Sequence, residues 1–130
     1  RFISTRVHGM VDYLMGLLLI VAPFLLGFAT GGAAQWVPII LGVVMLASAI
    51  MTKYELGLMH MIPMPLHLTM DLISGILLLV SPWLFGFADT VYLPHVILGI
   101  IEIGASLTTE KQPRNGVRYG ALCELSVWYV

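Results

Sequence analysis

The chain has 130 residues, 59% hydrophobic and only 10% charged, with a formal net charge of −1. A water-exposed domain carries about 25% charged residues, so this composition excludes a soluble globule and points to a bilayer. The lack of a basic excess argues against nucleic acid as a partner, and the single cysteine, Cys123, excludes an intrachain disulfide.

Four membrane helices are expected, because a span needs about 20 apolar residues. The first runs roughly from Gly9 to Phe28, the second from Gln35 to Met51, the third from Leu68 to Phe87 and the fourth from Val91 to Leu107. Thr30-Gly31-Gly32, the segment from Lys53 to Pro65, and Ala88-Asp89-Thr90 separate them. Arg1 and Arg6 precede the first apolar run, but Ala33-Ala34 comes too late for a cleavage site, so that run reads as a span rather than a leader.

Arg1 and Arg6 lie before the first helix, Lys53 after the second, and Lys111, Arg114 and Arg118 after the fourth, while the two hairpin turns carry no basic residue. The positive-inside rule makes that side cytoplasmic. The expected protein is therefore multi-pass, with both termini inside. Residues 1–111 form the four-helix domain, with repeats at about 8–52 and 67–109. Residues 112–130 form a tail, whose segment VRYGALCELSVWYV is too short to span and suits the interface or a docking surface.

The repeats rest on a shift of 59 residues, which superposes the first helix on the third. His8, Asp12, Gly16, Pro23, Gly27 and Phe28 meet His67, Asp71, Gly75, Pro82, Gly86 and Phe87, and 11 of 22 positions from 8 to 29 are identical. PIILGVVMLAS (38–48) resembles HVILGIIEIGA (95–105) with a slightly different shift. The chain reads as a duplicated helical hairpin whose copies enter the membrane in the same direction, related by an axis along its normal. The repeated residues fall within a stripe about 100° wide, an inward face on which the copies pack.

Each first helix breaks at a matching motif, APFLLGFAT at 22–30 and SPWLFGFAD at 81–89. The chain resembles the SPW-repeat family of small bacterial membrane proteins, two copies of a two-helix unit with Ser-Pro-Trp in the first helix of each. Here Ser81-Pro82-Trp83 is complete and Ala22-Pro23-Phe24 is the variant copy. The opening RFISTRVHGMVDYLMGLLLI also resembles the family's start, and the resemblance covers roughly residues 1–111. It implies a four-helix integral membrane protein and no enzymatic activity. The motif residues Pro23, Phe24, Gly27, Phe28, Ser81, Pro82, Trp83, Gly86 and Phe87 read as structural. Proline bends the last turns, Ser81 is placed to re-satisfy a freed carbonyl, and Phe24 and Trp83 suit the aromatic belt. Gly27 and Gly86 suit helix ends. Gly16, Gly27, Gly42, Gly75, Gly86, Gly99 and Gly104 also read as points of close helix approach.

Charged residues inside a span are functional candidates. His8 with Asp12, and His67 with Asp71, place imidazole and carboxylate on one helix face. Glu102 lies at a similar depth in the fourth helix, where the first copy has Met45. Three readings of this layer stand open: structural packing, a proton or cation relay, and a metal site. The Met- and His-rich segment GLMHMIPMPLHLTMD (57–71) also invites a copper reading, though Pro63 and Pro65 there suit a helix exit and start, and His95 reads as a satisfied interfacial residue. No nucleophile–base constellation or phosphate-cradling loop is present, so no catalytic residue, cofactor or metal ligand is assigned. The expected function is a non-catalytic accessory or scaffolding subunit, packing with itself or in a larger assembly such as a respiratory or photosynthetic complex. The alternatives are a small proton or cation transporter using the polar layer, and a metal- or cofactor-binding membrane protein.

Overall fold

In the computed structural model, which describes residues 1–112, the chain forms four helices. They are α1 (Thr5–Leu25), α2 (Ala33–Met51), α3 (Met64–Leu84) and α4 (Leu93–Thr108). The tail expected beyond residue 112, with Arg114, Arg118 and Cys123, lies outside the described residues.

Both first helices start a turn earlier than their hydropathy suggests and stop three residues sooner. The Ser4 side chain caps α1 by accepting from the Val7 amide, and Pro63 is the extended N-cap of α3, with Pro65 in its first turn. Their other ends are fixed by glycine. Gly27 and Gly86 have φ of 79° and 76°, and the amides of Phe28 and Phe87 return to the carbonyls of Pro23 and Pro82 at 2.9 and 2.8 Å. This is the Schellman closure, in which a left-handed residue ends the helix. At 21 residues each, α1 and α3 are about 31 Å long at 1.5 Å per residue, enough for the hydrocarbon core.

Helices α1, α2 and α3 are each long and apolar enough to cross a membrane, and α4 is a shorter apolar helix of 16 residues. The closest packing joins α1 to α2 and α3 to α4. Two glycine pairs explain it. A Cβ added at Gly42 would stand 2.7 Å from the Gly16 carbonyl oxygen, and one at Gly99 would stand 2.9 Å from that of Gly75. Small residues let backbones approach where lipid supplies no hydrophobic drive for helix pairing. The other glycines divide differently from the sequence expectation. Gly104 faces open space, as do the turn glycines Gly27 and Gly86, so none of the three is a close-approach point.

The pairs meet across Met15, Leu19, Leu41, Met45 and Leu78. At one end of the bundle the chain before each first helix pairs with the end of a second helix from the other copy. Ile3 bridges Thr109, and Ile62 bridges Thr52. Reciprocal contacts of this kind are the mark of a two-fold relation, here between the halves of one chain. Substituting Gly99→Ala should cost about 1–3 kcal/mol by overpacking, since the new methyl meets the Leu79 amide nitrogen at 2.8 Å. Gly104→Ala should cost nothing, and reversible unfolding in mixed micelles measures both.

Candidate functional site: a crossed histidine–aspartate layer

His8 is the fourth residue of α1 and His67 the fourth of α3, with Asp12 and Asp71 one turn further in. All four are buried. His8 Nε2 lies 2.8 Å from Asp71 Oδ2, and His67 Nε2 lies 2.6 Å from Asp12 Oδ2. The same-helix pairs are longer, at 3.2 Å each. Each imidazole therefore reaches mainly across to the other copy, and the two rings stand edge to face with centroids 5.5 Å apart.

The second ring nitrogens complete the arrangement. His8 Nδ1 lies 2.7 Å from Thr109 Oγ1, and His67 Nδ1 lies 2.8 Å from Thr52 Oγ1. These threonine hydroxyls donate to the carbonyls of Ala105 and Ser48, at 2.6 and 2.5 Å. A hydroxyl has one hydrogen, so each Oγ1 can only accept from its histidine. Both imidazoles thus donate through Nδ1 and turn Nε2 toward the carboxylates. Thr52 and Thr109 are the C-caps of α2 and α4. The sequence reading missed them, although extending its match of 38–48 with 95–105 by four residues aligns the two.

The segment between α2 and α3 covers this end. The Thr5 hydroxyl donates to the Glu55 carboxylate at 2.7 Å, and the Tyr13 hydroxyl to the Leu56 carbonyl at 2.9 Å. Tyr54 is fully buried against the missing side chain of Gly9, with its ring centroid 6.1 Å from that of His67. Burial pushes its phenol above the ordinary range. Arg1 donates through Nη1 to the Thr109 carbonyl at 2.9 Å, which favours the negative end of α4.

Glu102 breaks the symmetry. It is 4% exposed, its counterpart Met45 is 3% exposed, and neither Glu102 carboxylate oxygen has a hydrogen-bond partner among the described residues. It lies within electrostatic reach of His8, Asp12, His67 and Asp71.

The motif residues sit at the opposite end. Pro82 cannot donate to the Leu78 carbonyl, and the Ser81 hydroxyl does so instead at 2.8 Å. Ala22 offers the first copy no such bond. Pro23 and Pro82 are buried, whereas Phe24 and Trp83 are 64% and 61% exposed, so the aromatic of the motif faces outward. Phe28 and Phe87 flank His95, with ring centroids 5.3 and 4.9 Å away. His95 Nε2 donates to the Ala34 carbonyl at 3.0 Å, while its buried Nδ1 has no partner among the described residues.

Long apolar helices, outward-facing aromatics and a self-paired polar layer define an integral membrane protein built from a repeated two-helix unit. The family model of the SPW repeat domain matches residues 6–109, and the chain belongs to that family. No curated protein and no solved structure matches the chain.

Removing one partner from a buried pair strands the other, so Asp71→Ala should destabilise the fold by about 3–5 kcal/mol. Glu102→Met, which installs the first copy's residue, should instead stabilise it by about 1–3 kcal/mol, because an unpaired buried group is removed. Unfolding midpoints of the two variants in one detergent system check both signs.

Proposed function

We propose that the protein is a non-catalytic accessory or scaffolding subunit of a bacterial inner membrane, packing laterally with its own copies or within a larger membrane complex. One observation carries this reading. The four strongest candidates for chemistry, His8, Asp12, His67 and Asp71, are engaged with one another and with two threonines. They hold the copies together and present no free group to a substrate. The outer faces supply the complementary feature. Leu14, Ile40, Ile73, Ile100 and Trp83 are large, apolar and exposed on the four helices, as surfaces for lipid or neighbouring helices require.

In this reading Arg1, Arg6, Lys53 and Lys111, which sit at the end of the bundle that holds the histidine–aspartate layer, face the cytoplasm. The proline motifs face outward. The repeats at 8–52 and 67–109 act as one unit, and the tail from 112 serves as a docking segment.

The reading is tested by extracting the native membrane in mild detergent and measuring the mass of the assembly that holds the chain. A defined stoichiometric complex or homo-oligomer that survives the double change Asp71→Asn and Glu102→Gln is expected. A lone chain that conducts protons in vesicles, and stops on that change, contradicts it. Orientation is tested with Cys123→Ser as background, using a membrane-impermeant maleimide on intact cells from which any outer membrane has been removed. Thr90→Cys should label from outside and Leu58→Cys only after lysis. The reverse pattern contradicts the assigned orientation.

A further inference from the structure

The histidine–aspartate layer has more order than ion pairing between the copies requires. Two straightforward pairs would satisfy two imidazoles and two carboxylates. Here each Nε2 faces both carboxylates, at 2.8 and 3.2 Å for His8 and 2.6 and 3.2 Å for His67. One ligand-type atom from each of the four residues falls within 4.8 Å of all the others. All four converge on one point near the axis that relates the copies.

We propose that His8, Asp12, His67 and Asp71 form a closed site for one divalent transition-metal ion, with Zn2+ the best match. Each copy supplies one nitrogen and one oxygen ligand. The set contains two imidazole nitrogens and two carboxylate oxygens, with no thiolate or thioether, which suits zinc-type ions more than soft ones. Around a tetrahedral ion with bonds of about 2.0–2.2 Å, neighbouring ligand atoms stand about 3.4 Å apart. The four histidine–aspartate distances, from 2.6 to 3.2 Å, lie just under that spacing.

Two further features fit an ion. First, Thr52 and Thr109 fix both rings as Nδ1–H donors. A neutral imidazole held this way directs its Nε2 lone pair at the centre, and metal-bound histidines are normally oriented through their other nitrogen. Second, a divalent ion with two carboxylates and two neutral imidazoles sums to zero charge, so the loaded site carries no more net charge at membrane depth than two imidazolium–carboxylate pairs do. Four protein ligands leave no open position, so the site is structural rather than catalytic. Its action is to clamp the two copies at their crossing. The inference goes beyond the accessory-subunit reading and does not depend on it.

The test uses the full chain without an affinity tag, purified in mild detergent, stripped with a chelator and then exposed to Zn2+ or Co2+ alone. About one ion per chain should remain after desalting, and the Co2+ form should show the visible absorption of tetrahedral coordination. Asp71→Asn should lose the ion. Thr109→Val, which keeps all four ligands, should remain folded and bind about 10–100-fold more weakly. Zn2+ should raise the unfolding temperature of the parent chain and do so less in Thr109→Val. A monodisperse, helical parent chain that retains neither ion overturns the proposal and leaves ion pairing alone. An ion held equally well by the parent, Thr109→Val and Asp71→Asn proteins also overturns it, because the ion then sits elsewhere.

Discussion

The structure depends on one constraint: the imidazoles and carboxylates that recur in both copies at membrane depth must find partners within the protein. Burying an ion without a partner costs several kcal/mol even after relaxation, and lipid offers neither water nor counter-charge. His8 and His67 meet that demand across the two-fold, each on the other copy's aspartate. The threonines that hold their far sides are crossed too, since His8 takes Thr109 and His67 takes Thr52. Each copy thus leaves its own polar groups unsatisfied and is completed by its twin. That arrangement converts two hairpins into one bundle and fixes their register at one end, where the Ile3–Thr109 and Ile62–Thr52 bridges lie.

The opposite end is shaped by the backbone rather than by charge. Proline three residues before each C-cap keeps its carbonyl available for the closing amide of Phe28 or Phe87, and the positive-φ glycines allow that return. The two copies differ where the serine is absent. Ser81 restores a bond to the carbonyl freed by Pro82, and Ala22 cannot. The proline and glycine are therefore the shared requirements of the motif, whereas the serine and tryptophan refine one copy. Trp83 points outward beside Tyr92, with centroids 6.1 Å apart, which suits a belt at the membrane surface.

Much of this was legible in the sequence because chemistry-bearing residues recur where apolar ones recur by chance. His, Asp, Gly and Pro at a spacing of 59 marked the duplication, the inward stripe and the break that closes each first helix. The crossing was not legible. Helical periodicity places His8 and Asp12 on one face, and it says nothing of which copy each will meet. Helix starts were misplaced because hydropathy follows apolar content, whereas Ser4 and Pro63 set the starts through capping and φ. Gly104 reads like Gly99 in sequence but faces open space, since only packing against a second backbone separates the two. Thr52 and Thr109 passed as ordinary helix-end residues, because their role exists only once the opposite copy is present.

The crossed pairing can be measured as an interaction energy. Double-mutant cycles on unfolding, one for His8 with Asp71 and one for His67 with Asp12, isolate each cross-copy contact. The account predicts similar coupling in the two cycles, each about 1–3 kcal/mol. Coupling near zero in both, with the singly changed proteins still folded, would show that the histidine–aspartate exchange does not hold the two copies together.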